Sequence, residues 1–331
     1  MRVLSLFDGI SGAMLALQRL GLKPEEYISS EIDEKAIAMA RANFPEIRQV
    51  GDVEKLDLSD AAFRDIDLLI GGSPCTNLSI AGHGAGVQGE ESRLFFDYLK
   101  VRNAIGPKFW LLENVGSMKK ADRDIMSDHM GCEPVMVNSW IFTAQSRKRL
   151  YWTNIPQDGL PVPAGICVAD ILQFEKVPSR YFLDTQWQIH AHPRYAEADF
   201  RDRHRMVKIF DVGKGRQGER IYSIYGKSTN LTAGGGGPGS KTGLYYVGDY
   251  GIRNPGKDYI QRHTRRLTPL EAERLQGVPD GYTAKGVDEE GSETEMSDTE
   301  RYKALGNGFT VPVIAHLLSP LRRIPAGEGS A

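Results

Sequence analysis

Cysteine is scarce in this chain. Only Cys75, Cys132 and Cys167 occur in 331 residues. Three scattered cysteines make neither a disulfide framework nor a zinc-ligand set, and a reducing cytoplasm is the expected compartment. No run of about 18 apolar residues exists, so no membrane-spanning helix is expected. The opening MRVLSLFDGISGAM carries one Arg, then a short apolar run broken by Asp8 and two glycines. That is a first strand and its turn rather than a signal peptide. The chain shows no internal repeat and lacks the phosphate-cradling Lys of a P-loop. Net charge is almost absent, at -2. Hydrophobic residues at 40% and charged residues at 25% exclude a disordered chain.

What is present is unevenly spread. The length suggests roughly two domains of about 150 residues each. From Arg201 to Arg266 there are 14 Lys/Arg and 5 Asp/Glu, a local +9. From Gly286 to Glu300 there are seven acids and no base. Such asymmetry suits one surface for a polyanion and another facing away from it.

The first 155 residues alternate short apolar runs with amphipathic stretches. Arg2–Phe7, Tyr27–Glu31, Asp67–Ile70 and Phe109–Glu113 read as buried strands. Ala13–Leu20, Glu34–Asn43 and Arg93–Ile105 carry helix-period apolar residues. The alternation predicts βαβ units and a parallel sheet. Glu133–Asn138 and Arg149–Trp152 are candidate completing strands. After Pro156 come a Pro/Gly linker and a polar, basic, aromatic region with short β-like runs at Arg220–Tyr225 and Gly243–Gly248. Thr268-Pro-Leu-Glu271 opens a capped helix reaching Gln276. An acidic loop, a Gly306-Asn307-Gly308 turn and an apolar helix Thr310–Leu318 follow.

The first strand runs into Phe7-Asp8-Gly9-Ile10-Ser11-Gly12, whose glycines and helix N-terminus admit a ligand to the backbone. Glu31 ends the second strand and could hold a ribose hydroxyl pair. Asp52 could accept from an adenine amino group, or equally cap a turn. Gly71-Gly72-Ser73-Pro74-Cys75 delivers a thiol onto the top of the sheet in a polar turn, ahead of a segment with four glycines and His83. Glu113, directly after four apolar residues, is expected in a dry site with a raised proton affinity. Alternation puts Gln145, Arg147 and Arg149 on one side, where guanidinium groups suit phosphate or a carbonyl oxygen.

In this order and spacing, FDGISG, GGSPC, ENV, QSRKR and GNGFTV resemble the DNA (cytosine-5) methyltransferase family. GGSPCTNLSI, RLFFDYL, FWLLENV and RKRLYWTNIP are most similar to the catalytic domain of the eukaryotic de novo enzymes. The likeness covers residues 1 to about 156 and 265 to about 321. The region between lacks a clear match, as the variable target-recognition part of that family would. Departures are Ser11 in place of the usual second glycine, and Thr76-Asn77 in place of the usual Gln after Pro-Cys. The chain starts at the first strand, which implies a stand-alone bacterial or phage form.

The resemblance implies a Rossmann-like S-adenosylmethionine-dependent methyltransferase sheet (residues 1–160 plus 302–323) with a smaller, irregular β-rich target-recognition domain (161–301). It implies that Cys75 adds to C6 of a flipped-out cytosine, that Glu113 acts at N3, and that Arg147 and Arg149 hold the base carbonyl and nearby backbone. Asn114 would brace the loop bearing Cys75. S-adenosyl-L-methionine would lie against Phe7, Asp8, Gly9, Ile10, Ser11 and Gly12, with Glu31 and Ile32 at the ribose and Asp52 and Val53 at the adenine. Leu94, Asn307, Gly308 and Phe309 would close the far side. Double-stranded DNA is the implied partner. Ser79 and His83, after Cys75, and Lys227, Ser228, Asn230 and Lys241, around the glycine turn 234–239, are its candidate contacts. No metal is implied. RNA as substrate, a modified S-adenosylmethionine as donor, an inert DNA-binding paralogue, a partner restriction endonuclease and the oligomeric state all stay open.

Overall fold

The computed structural model describes residues 1–73, 90–173, 176–183, 188–191, 202–213, 215, 217–234, 242–252 and 255–323. Cys75, Ser79, His83 and Lys241 lie outside these residues.

A seven-stranded sheet organises the first half, in the order β3-β2-β1-β4-β5-β7-β6. Its strands are β1 (Arg2–Leu6), β2 (Glu26–Ser30), β3 (Arg48–Gln49), β4 (Leu68–Gly72), β5 (Phe109–Val115), β6 (Val135–Asn138) and β7 (Lys148–Thr153). The first five run parallel, while β7 is antiparallel to both β5 and β6. Successive residues point to opposite faces of a strand. Thus Val3, Leu68, Ile70 and Leu111 feed one core, and Leu4, Leu6, Leu69 and Leu112 the other. Helices α1 (Gly12–Arg19) and α2 (Glu34–Asn43) cover the first face; α3 (Glu90–Ile105) and α4 (Lys120–Met130) cover the second. This is the doubly wound sheet that the strand–helix alternation predicts.

Local chemistry sets the helix ends. Asp33 caps α2, accepting from Lys35 and Ala36 N–H. Gly131, at φ 75°, stops α4, a helix that apolar spacing alone does not mark. The expected capping box is present: α6 (Pro269–Gln276) starts with Thr268 and Glu271 bonded reciprocally.

A second sheet, β12-β11-β10-β9-β8, carries the middle of the chain. It comprises β8 (Ile189–Ala191), β9 (Lys208–Val212), β10 (Arg220–Ser223), β11 (Leu244–Tyr246) and β12 (Thr264–Arg265), with α5 (Lys257–Arg262) beside it. This sheet has its own core of Ile209, Phe210, Ile221, Leu244 and Ile260. Tyr222 and Tyr245 meet Ala144, Leu267 and Leu275 instead, joining the sheet to the rest of the molecule.

The segment after residue 276 departs from expectation. The acidic stretch is not one loop. It forms a hairpin of β13 (Lys285–Val287) and β14 (Glu293–Glu295), packed on α2, and then the start of α7 (Asp298–Asn307). Ser297 and Glu300 make a second capping box that opens α7. Gly306 and Asn307 therefore end a helix, and Gly308 caps it. Ala272, Val278, Tyr282 and Met296 share the core of α1, α2 and α8 (Val311–Leu318). The polypeptide thus returns to the large sheet well before residue 302. The stretch Asp298–Arg323 is apolar enough on average to cross a membrane, but it is divided at Gly308–Thr310, and 67% of its apolar window is buried inside the fold.

Candidate active site

Above the carboxyl ends of β1, β2, β4 and β5 lies a cleft of about 470 Å³, within the roughly 300–1,000 Å³ of small-molecule sites. It sits where strand order reverses beside β1, the usual ligand crevice of an open α/β sheet.

Phe7, Asp8 and Gly9 form its floor. Phe7, Gly9 and Ser11 all take left-handed backbone, with φ 55°, 58° and 57°. Only glycine does so freely; each side chain costs about 1–2 kcal/mol there. Ser11 offsets part of this, since its Oγ donates to Asp8 Oδ2 at 2.7 Å and its N–H to Asp8 O at 3.0 Å. Ile10, Ser11 and Gly12 are buried and are not among the residues that line the cleft. Asp8 keeps its side chain inside the fold. Its carboxylate is buried, accepts from Tyr27 Oη at 2.7 Å, and burial raises its proton affinity despite the hydroxyl donors around it.

Glu31 accepts from three backbone groups: Gly9 N–H at 2.7 Å, Ile32 N–H at 2.8 Å and Asp33 N–H at 2.9 Å. It therefore locks the first turn to the second strand. A carboxylate offers about four lone-pair sites, so capacity remains for a ligand hydroxyl. Ile32 lies at the rim, 71% exposed. Asp52 caps a short 3-10 turn through Glu54 N–H and also pairs with Lys55. Its capping role and a ligand role are compatible. Val53, Leu94, Asn307, Gly308 and Phe309 complete the wall.

At the other end, Gly72 and Glu113 are register partners on β4 and β5. A Cβ on Gly72 would stand 2.9 Å from Phe309 Cε1 and 3.1 Å from Glu113 Oε2. Only glycine lets the ring and the carboxylate approach the strand. Asn114 is buried and donates to Ser73 Oγ at 3.2 Å and Ser73 O at 3.4 Å. This fixes the backbone two residues before Cys75. Glu113 is 13% exposed and ion-paired with Arg149, so it is dry but not isolated. Arg147 lines the cleft and is buried, yet its four terminal N–H groups are occupied. Nη1 donates to Asn230 Oδ1 and Leu231 O, and Nη2 to Gly306 O and Gly308 O, all at 3.0–3.1 Å. Burial, with Arg149 adjacent, pushes its pKa down to about 10, still charged at neutral pH.

The recognition-side candidates fare differently. Lys227 is 1% exposed, and its ammonium donates to the carbonyls of Trp140 (2.8 Å), Thr143 (3.0 Å) and Ile166. Ser228 is fully buried and bonds Thr229 O. Neither can reach a phosphate, and both are corrected to structural residues. Asn230 remains half-buried, holding Arg147. Sequence reasoning missed Ser30, Asp33, Gly51, Gly72, Ser73, Val115 and Gly306 as lining residues. Asp33, directly before the helix-period stretch Glu34–Asn43, is a residue type that caps helices, whereas Gly306 lies in a stretch whose sequence reads as a turn.

The family model for C-5 cytosine-specific DNA methylases matches residues 1–323. The chain belongs to that family. It is an S-adenosylmethionine-dependent DNA cytosine-5 methyltransferase by descent, with duplex DNA as substrate class. The matched span includes the middle region between the two motif-bearing parts. The type II methyltransferase M.HpaII of Haemophilus parainfluenzae is 30% identical, covering 94% of this chain and 86% of the relative. M.HhaI of Haemophilus parahaemolyticus is 28% identical, covering 96% and 93%. The solved Entamoeba histolytica methyltransferase EhMeth shares the fold at a TM-score of 0.70 and 16% identity, covering 98% of each chain.

Proposed function

We propose that this methyltransferase acts through a covalent Cys75–C6 adduct on a cytosine flipped out of duplex DNA. The observation that carries the reading is the constellation at the inner end of the cleft. Glu113, Arg149 and the Asn114–Ser73 brace stand together, and Cys75 follows Ser73 by two residues.

The cleft fits S-adenosylmethionine. Glu31 has acceptor capacity for a ribose hydroxyl, and the exposed Ile32 with Val53 and Leu94 offers apolar surface to an adenine. Four carboxylates (Glu31, Asp33, Asp52 and Glu113) against two guanidinium groups (Arg147 and Arg149) leave the lining net acidic, which favours a cationic ligand. When bound, the cofactor supplies an electrophilic methyl group on a sulfonium.

Cys75 Sγ, as thiolate, adds to C6 of the target base. Glu113 holds the proton at N3 that balances this addition, and Arg149 fixes the Glu113 carboxylate in place. C5 becomes nucleophilic and accepts the methyl group. Loss of the C5 proton to a base then expels the thiolate. Extracting the base costs a few kcal/mol, which contacts from the basic recognition region must offset.

The test is nucleoside mass spectrometry on unmethylated DNA incubated with S-adenosylmethionine, wild type beside Cys75→Ser. The expected result is 5-methylcytosine with wild type alone; sequencing the product then maps the site. Unmodified DNA with wild type would remove the reading, and tRNA in competition would show whether RNA is preferred.

A further inference from the structure

Lys227 lines no part of the cleft, yet the loop that leads to Arg147 is built around it. Its buried ammonium donates to Trp140 O at 2.8 Å, Thr143 O at 3.0 Å and Ile166 O. Trp140 and Thr143 belong to one tight turn, closed by Phe142 and Thr143 N–H donating to Ser139 O at 2.8 and 2.9 Å. Carbonyls at the end of such a turn lack partners within it, and a cation satisfies them. The backbone beside Lys227 extends the join: Ser228 N–H donates to Ala144 O at 2.7 Å, and Ser146 N–H to Ser228 O at 3.0 Å. The loop then closes on itself. Ser139 N–H meets Arg147 O at 3.0 Å, and Ser139 Oγ donates to Gln145 O at 2.7 Å. β7 starts at the next residue, Lys148, and carries Arg149 to Glu113.

We propose that Lys227, in its charged form, is a positioning residue for methyl transfer: it pegs the Ser139–Arg147 loop and thereby holds Arg149 against Glu113. The inference rests on the methyl-transfer reading above. An ammonium has three N–H donors, one for each carbonyl. A neutral amine has two, and its lone pair must face the remaining oxygen. Losing the proton therefore breaks the three-way join and leaves a buried acceptor unpaired, while Glu113 and Arg149 stay chemically unchanged. Burial brings that loss within reach, lowering the pKa of Lys227 to about 8. Cys167, Arg203 and Asp170 are the titratable and charged groups that face it. Asp170 is engaged by Arg203 and by Cys167 N–H at 2.8 Å, so the direct partners of Lys227 are carbonyls. The Trp140 ring stands 5.9 Å from the ammonium, with His204 edge-on to it.

The experiment measures single-turnover methyl transfer at saturating DNA and S-adenosylmethionine from about pH 6 to about pH 9.5. S-adenosylhomocysteine affinity is measured calorimetrically over the same range. Ionisation of Cys75 raises the wild-type rate with pH. Loss of the Lys227 proton is expected to turn the rate down again above about 8, with affinity unchanged. Arg147, at about 10, titrates too late to cause this. Lys227→Arg keeps its charge throughout and Lys227→Met never has one; both are expected to climb to a plateau with no downturn. At neutral pH Lys227→Met is expected to be about 10- to 100-fold slower, the scale of a misplacement of about 1 Å, with affinity for S-adenosylhomocysteine near that of wild type. A downturn that persists in both variants, or a Lys227→Met rate equal to wild type, overturns this proposal while leaving methyl transfer intact. If neither variant melts cooperatively, the wild-type profile decides: a plateau up to about pH 9.5 overturns the proposal, and a downturn at constant affinity supports it. A wild type that neither methylates DNA nor binds S-adenosylhomocysteine overturns both.

Discussion

Arg149 Nε stands 2.7 Å from Glu113 Oε1, and both side chains are 13% exposed. The pair joins β7 to β5 at the point where the cleft meets the start of the Cys75 segment. If Glu113 manages the N3 proton, Glu113→Gln should slow single-turnover methyl transfer by about 100- to 10,000-fold, the usual range for a general acid–base group. S-adenosylhomocysteine affinity should change only a few-fold. A variant with near-normal turnover would exclude the assignment.

Gly72 is where strand, ring and carboxylate converge. Gly72→Ala should destabilise the fold by about 1–3 kcal/mol through overpacking, and weaken S-adenosylhomocysteine binding as Phe309 is displaced. Combining it with Phe309→Leu should recover part of both losses. Denaturant unfolding and calorimetry of the single and double variants would read this; strictly additive losses would contradict it.

Lys227 is expected to act on folding, not on DNA. Lys227→Met leaves three carbonyls without their shared donor, and the buried one, Thr143 O, costs about 1–3 kcal/mol when unsatisfied. A lowered denaturation midpoint should accompany an unchanged slope of log affinity against log salt. A slope smaller by about one unit would restore Lys227 as a phosphate contact.

Asp8 gives a pH signature. Burial raises its pKa in the folded chain above the ordinary 3.8. A raised folded pKa stabilises fully below the unfolded value, and that contribution is lost as pH rises through the folded pKa. Asp8→Asn cannot titrate. The stability of wild type relative to Asp8→Asn should therefore fall as pH rises above about 4. Thermal melts of both proteins from pH 4 to 8 would show it, and a constant difference would mean that Asp8 titrates normally.

The residue pattern alone determined the doubly wound sheet, because period-2 and period-3.6 apolar spacing are local properties. It determined the cleft's main walls for a related reason. Phe7, Glu31, Asp52 and Gly72 sit at or just beyond a strand end and Glu113 two residues before one, and parallel strands carry all such ends to one edge. The Thr268–Glu271 capping box was legible too, whereas Ser297–Glu300, of the same form, was hidden among seven acids. Only the tertiary structure decided the fate of the polar residues between Gln145 and Asn230. A buried Lys227 and a surface lysine look identical in sequence. What separates them is the convergence of carbonyls from Trp140, Thr143 and Ile166, brought together from positions more than 60 residues away. The same holds for Arg147, whose partners come from two separate segments of the chain. Hydrogen-bond saturation is a property of assembled neighbours, and no local spacing encodes it.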